Sequence, residues 1–105
     1  MGGQAFEKAG ADVLFAPGLP DLDSVREVCN ALSKPVNFMV GIKGKSSSVA
    51  ELAAAGVKRI SLATSLYRAA MSGFLEAASE VKRSGEFPFL DRCATTQGLL
   101  KLMRI

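Results

Sequence analysis

The sequence predicts an α/β fold of three parallel strand–helix units, in a single domain spanning residues 1–105. Continuously apolar segments are centred near Leu14, Phe38 and Leu62, about 24 residues apart. Between them lie stretches whose apolar residues keep helical spacing, and a glycine, a proline or a polar turn marks each junction. The period leaves room for a strand, a loop, a helix and a return turn. Strands buried on both faces are uniformly apolar, as these are. Three such units fit either a small open sheet or part of a closed one.

Taken in order, Gln4–Ala9 is helix-compatible, and Gly10 supplies the left-handed residue that closes a helix. Asp12–Phe15 reads as the first strand, stopped by Ala16-Pro-Gly-Leu-Pro20 because two prolines remove donors from any ladder. Asp21 and Asp23 provide the cap and first-turn carboxylate of a helix with Leu22, Val25, Val28, Cys29 and Leu32 on one face. After Lys34-Pro35, Val36–Val40 is the second strand and Gly41–Ser47 a polar turn. Ser48 and Glu51 have capping-box spacing for a short helix through Ala55, closed by Gly56. Val57–Ala63 is the third strand. Thr64 or Ser65 caps a long helix with Leu66, Ala69, Ala70, Phe74, Ala77 and Val81 on its apolar stripe, ending near Ser84-Gly85. A helical extension, residues 86–105, holds a Phe-Pro-Phe turn and an amphipathic helix with Leu99, Leu100, Leu102 and Met103.

Composition removes several functions. A net charge of +3 comes from thirteen scattered basic residues against ten carboxylates, which is no nucleic-acid footprint. Cys29 and Cys93 lack CxxC spacing and the chain has no His, so neither a zinc site nor a Cys-His pair is expected. No apolar run approaches the ~20 residues of a membrane span, and no leader pattern opens the chain. A cytoplasmic protein with no membrane partner is expected.

Three segments carry a family resemblance: Ala9-Gly-Ala-Asp-Val-Leu-Phe15 with Ala16-Pro-Gly-Leu19; Lys34-Pro-Val-Asn-Phe-Met39 with Gly41; and Val49-Ala-Glu-Leu-Ala-Ala-Ala-Gly-Val57-Lys-Arg-Ile-Ser61. In order and spacing they resemble the sixth to eighth strands of the isocitrate lyase/phosphoenolpyruvate mutase family. The similarity is greatest to the branch described as carboxyvinyl-carboxyphosphonate phosphorylmutase-like or oxaloacetate decarboxylase-like. Gly85-Glu-Phe-Pro-Phe89 is similar to that branch's C-terminal extension.

The resemblance implies a partial TIM barrel, the C-terminal three of its β/α units plus terminal helices. It also implies magnesium-dependent lyase or phosphonomutase chemistry on small 2-oxo or 2-hydroxy acids. The metal-holding carboxylates and the catalytic lid of such enzymes come from earlier strands, so no cofactor and no activity are expected of this chain alone. Asp12, Asp21, Asp23 and Glu51 read as strand-entry and capping carboxylates. The expected partners are a second copy or the missing N-terminal half, and a small carboxylate or phosphate ligand.

Barrel ligands sit at the C-terminal ends of strands. Gly41 and Gly44 offer backbone N–H groups there, with Lys43 or Lys45 adding charge. Thr64 and Ser65 open the long helix, whose start can hold an anion, and Arg68 lies one turn in, where the matching segment of phosphoenolpyruvate mutase-like sequences also has Arg. Capping alone also explains Thr64 and Ser65, and a solvated turn explains Gly41 and Gly44. Gly44-Lys-Ser46 is no P-loop, because Met39 stands where the first glycine is required. Asn37, between apolar neighbours, is expected to hydrogen-bond toward a helix or a barrel interior.

Overall fold

The structure, a computed structural model, describes residues 2–44 and 47–104. The chain forms two compact units, Met1–Leu66 and Tyr67–Ile105.

In the first unit the order is α1 (Gly2–Lys8), β1 (Leu14–Phe15), α2 (Leu22–Ala31), β2 (Val36–Met39), α3 (Val49–Ala54) and β3 (Arg59–Ser61). The strands form one open parallel sheet in the order β1-β2-β3. Leu14 pairs with Val36, and Phe15 with Asn37; Asn37, Phe38 and Met39 pair with Arg59, Ile60 and Ser61. The α/β class and the parallel order are those the sequence predicts.

Alternation assigns the two faces of this sheet. Phe38, Val40 and Ile60 pack against a core of Val25 from α2, Leu52 from α3, Ala55 and Val57. Leu14 and Val36 are buried as well. Asn37 and Ser61 share the opposite face.

The strands are shorter than the apolar runs, and the helix ends explain why. At the end of α3, Gly56 N–H donates to Ala53 O and Val57 N–H to Leu52 O, both at 3.0 Å. This is the paired closure in which a left-handed glycine, here at φ +107°, turns the chain out of the helix. Val57 is thus committed to the helix end, where its side chain meets Leu52, and β3 starts at Arg59 rather than Val57. α1 closes in the same way through Gly10 and Ala11, whose N–H groups reach Glu7 O and Phe6 O at 3.1 Å. Its start at Gly2 is two residues earlier than the sequence suggests.

The caps predicted for α2 and α3 are formed. Asp21 accepts from Ser24 N at 2.8 Å, and Ser48 and Glu51 form a reciprocal box, each bond 3.0 Å. These bonds to Ser48 hold the Glu51 carboxyl below its usual range.

One contact has no counterpart in the sequence pattern. Glu7 Oε1 accepts from Ser33 N and Lys34 N, each at 2.8 Å, and from Ser33 Oγ, tying α1 to the turn between α2 and β2. These bonds, the Ser33 hydroxyl foremost, lower the Glu7 pKa from 4.5. A depressed folded value means stability that is fully present above about pH 4.5 and lost as pH falls through the lower folded value. Urea midpoints measured from pH 7 to pH 3 should therefore fall, and Glu7→Gln should flatten part of that fall.

α4 (Ser65–Ser84) crosses from the first unit into the second and ends at Gly85, φ +70°. The second unit continues with a 3₁₀ turn at Pro88–Asp91 and α5 (Thr96–Met103), capped by Thr95, which accepts from Gly98 N at 3.0 Å. Phe87 and Phe89 stack edge to face with centroids 6.4 Å apart. None of the α4, 3₁₀ or α5 residues is buried, and Leu99, Leu100, Leu102 and Met103 are exposed. Among the described residues no helix is long and apolar enough to cross a membrane.

Candidate functional site

Parallel strands deliver their C-terminal ends to one edge of the sheet, and loops from neighbouring strands meet there. β1 runs into Ala16-Pro17-Gly18, β2 into Val40-Gly41, and β3 into Leu62-Ala63. Val40 N–H donates to Ser61 O at 2.9 Å, carrying the pairing past the end of β2.

Gly41 then leaves with φ +135°, a conformation open to glycine. A Cβ at this position would lie 3.4 Å from Ser65 Oγ and 3.8 Å from Ala63 Cβ. The backbone of the β2 loop thus approaches the first residue of α4. On the other side, Ala63 is held at φ +49° in a turn closed by Ser65 N–H on Leu62 O at 2.9 Å. A left-handed alanine costs roughly 1 kcal/mol or more, a strain the turn sustains while directing the start of α4 toward Gly41.

Of the residues the sequence singles out, Gly41 and Ser65 come together. Thr64 is exposed immediately before the helix, and Ser65 is half-buried. Arg68 is exposed on α4 and belongs to the second unit. Gly44 has φ +78° and lies apart from Ser65, lining a cleft with Asp21 and Asp23. Two carboxylates repel an anion, so the glycines expected to act together have different surroundings. Lys45 lies outside the described residues.

Asn37 is 7% exposed, and its Oδ1 accepts from Ser61 Oγ at 3.0 Å. The partner of this buried amide is a side chain on the adjacent strand, on the sheet face away from the helix-packed core rather than toward a helix. Sequence reasoning overlooked Ser61, although the strand period that relates Phe38 to Leu62 also relates Asn37 to Ser61.

Among the described residues, no group of three or more His, Cys, Asp or Glu could hold a metal ion. Four of the ten carboxylates are committed locally: Asp21 and Glu51 to caps, Glu7 to its clamp, and Asp23 to Arg26 at 3.0 Å. The donors present therefore do not fit a magnesium site. Cys29 and Cys93 are free thiols. Burial pushes the Cys29 thiol pKa upward, opposed by the nearby Lys58 charge, and Cys93 is exposed.

A family model for phosphoenolpyruvate phosphomutase matches residues 3–82. No curated protein matches the chain. Among solved structures, a protein of Burkholderia cenocepacia J2315 described as a lyase/mutase is 42% identical, with a TM-score of 0.88 over 96% of this chain and 36% of its own. A 2,3-dimethylmalate lyase of the PEP mutase/isocitrate lyase superfamily is 30% identical, with a TM-score of 0.78 over 97% of this chain and 37% of its own. A phosphoenolpyruvate phosphomutase of Streptomyces platensis subsp. rosaceus, 24% identical, shares the fold with a TM-score of 0.77 over 96% of this chain and 36% of its own. The chain spans little more than a third of the length of these relatives. It belongs to the phosphoenolpyruvate phosphomutase/isocitrate lyase superfamily, and it corresponds to part of a larger domain.

Proposed function

We propose that this chain is the C-terminal three β/α units, equivalent to strands six to eight, of a barrel enzyme that makes or breaks C–C or P–C bonds in small 2-oxo or 2-hydroxy acids. The preferred branch is the carboxyvinyl-carboxyphosphonate phosphorylmutase-like or oxaloacetate decarboxylase-like one. The observation that carries the reading is the approach of Gly41 to Ser65 at the C-terminal edge of the sheet, in a member of this superfamily.

Within that enzyme these residues bind and orient. Beyond Ser65, whose N–H is taken by Leu62 O, first-turn N–H groups of a helix lack intrahelical partners, and the helix dipole favours an anion there. Gly41, without a side chain, brings the β2 loop backbone close to Ser65 Oγ, the hydroxyl that would meet a carboxylate or phosphate oxygen. Thr64, immediately before the helix, supplies a further hydroxyl. Metal chemistry is assigned to residues outside this chain, because among the described residues no group of three or more His, Cys, Asp or Glu could hold a metal ion.

Calorimetry of the 105-residue chain with oxalate and with phosphate tests the binding role. Heat is expected from at least one of them, and Ser65→Ala should weaken it about threefold to tenfold, the loss of one hydrogen bond of ~1 kcal/mol. No heat from either would sink it. Robust turnover of 2-oxo acids by this chain with magnesium would overturn the assignment of the metal chemistry elsewhere. A self-associating, non-catalytic scaffold is the competing reading, motivated by exposed Val13 and Phe15 at the sheet edge. A monodisperse monomer in sedimentation would remove it.

A further inference from the structure

α1 differs from the other helices of the first unit in what holds it. α2 and α3 each plant a residue in the core, Val25 at 2% and Leu52 at 1% exposure. None of the α1 residues is buried, although the helix packs on β1 and lies beside the end of α2, where a Cβ on Gly3 would meet Leu32 Cδ1 at 3.3 Å. Phe6, its large apolar residue, is 66% exposed. Between α1, β1 and α2 lies an apolar cavity of about 290 Å³, lined by Gly3, Phe6, Leu14, Leu19, Leu32 and Val36. α1 spans this space rather than filling it, so it forgoes much of the dispersion attraction that holds a packed helix.

What fastens α1 is polar. Glu7 Oε1 accepts from the N–H groups of Ser33 and Lys34, each at 2.8 Å, and from the Ser33 hydroxyl. Two successive peptide N–H groups converging on one oxygen make a nest suited to an anion. The Lys34 charge also favours the ionised carboxylate. Gln4 Nε2 adds a longer bond, 3.4 Å, to Ala31 O. All of these bonds lie at the surface, where water competes for each partner.

We propose that α1 is a strap over the apolar cavity, fastened by the Glu7 carboxylate in the Ser33–Lys34 nest, and that it opens separately from the more stable core beneath it. Segments that move are drawn from the low-stability end of a fold, where buried apolar contacts are few. Opening is a local melting of α1 and needs no free chain end. It uncovers Leu14 and Val36, which are 4% and 3% exposed with the strap in place, while the sheet and the cluster of Val25, Leu52, Ala55 and Val57 stay formed. Because one carboxylate receives all three bonds at the nest, a single change at Glu7 releases the strap.

Native-state hydrogen exchange of the 105-residue chain is the test. Ala9 and Ala11 report on α1, since their N–H groups donate to Ala5 O and Phe6 O at 3.1 Å. Val40 and Val57, which donate to Ser61 O at 2.9 Å and Leu52 O at 3.0 Å, report on the sheet and the core. Protection should be measurable at Ala9 and Ala11 but at least about tenfold lower than at Val40 and Val57. Glu7→Ala should lower it at least about tenfold further and leave Val40 and Val57 within about twofold of their starting values. Alanine is the better helix former, so weaker intrinsic helicity would not account for that loss. Phe6→Ala should lower protection of α1 less than Glu7→Ala does. Ser33→Ala should lower it in the native background and add little after Glu7→Ala, when the hydroxyl has no carboxylate to meet. The proposal is overturned if Ala9 and Ala11 are unprotected or exchange as slowly as the core. It is equally overturned if Glu7→Ala changes nothing or lowers all four amides alike, if Phe6→Ala has the larger effect, or if Ser33→Ala costs as much without Glu7 as with it. Gly41 and Ser65 take no part in these measurements, so the strap and the anion site fail separately.

Discussion

Leu52→Ala is expected to cost about 2–5 kcal/mol, the range for removing a large aliphatic side chain from a packed interior. Leu52 is 1% exposed and lies in the buried cluster with Val25 of α2, Ala55 at its own helix end, and Val57 where that end is closed. Its carbonyl also accepts the Val57 N–H at 3.0 Å, so the residue serves both packing and chain reversal. The buried hydrophobic set is small: Leu14, Val25, Val36, Leu52, Ala55 and Val57. Domains of this size bury a modest fraction of their surface, and their stability lies near the low end of the usual 5–15 kcal/mol. A loss of this magnitude would consume much of it. Urea denaturation followed by circular dichroism is the measurement, with the midpoint falling and the slope retained for a two-state loss of stability. Leu52→Met, which conserves volume, should cost less than about 1.5 kcal/mol. Equal losses from both substitutions would show that the Leu52 site is not close-packed.

The parts of this fold legible in the sequence are those written in local chemistry. Asp21, Ser48 with Glu51, Gly56 and Gly85 announce helix ends because a cap or a left-handed residue needs no distant partner. The parallel order was legible for a different reason: strands that recur with intervening helices leave little alternative to crossover connections. Strand lengths were not. Val57 is as apolar as Ile60, and the hydrophobic pattern cannot say that its N–H is claimed by Leu52 O.

Long-range polar contacts were the other gap. The Glu7 clamp joins residues 26 and 27 positions apart, and Asn37–Ser61 joins residues 24 apart. Each depends on which elements become neighbours, which helix and strand patterns specify only coarsely. The candidate site divides along the same line. Gly41 and Ser65 could be singled out as residue types at strand ends and a helix start, but their proximity arises from the turn at Ala63, whose left-handed conformation alanine does not advertise. Gly44 looked equivalent to Gly41, and only the fold shows Asp21 and Asp23 lining its cleft.

Gly56→Ala should destabilise the first unit by about 2–5 kcal/mol, from two causes that add. The residue sits at φ +107°, where any L side chain is strained by about 1–2 kcal/mol. The added methyl would also lie 2.8 Å from Cys29 Cβ and 3.4 Å from Cys29 Sγ, so α2 and the end of α3 would have to separate, an overpacking cost of about 1–3 kcal/mol. A double-mutant cycle separates the causes. Cys29→Ala keeps the Cβ that makes the closer contact, so it should recover little of the Gly56→Ala loss. Cys29→Gly removes that atom and should recover the steric part, after allowance for its own helix-propensity cost of about 1 kcal/mol. The cost remaining in that background is the backbone term. Full recovery with Cys29→Ala would place the conflict at the sulfur instead. No recovery with either would mean that the left-handed backbone alone makes Gly56 necessary, and that close approach of α2 to the end of α3 contributes nothing.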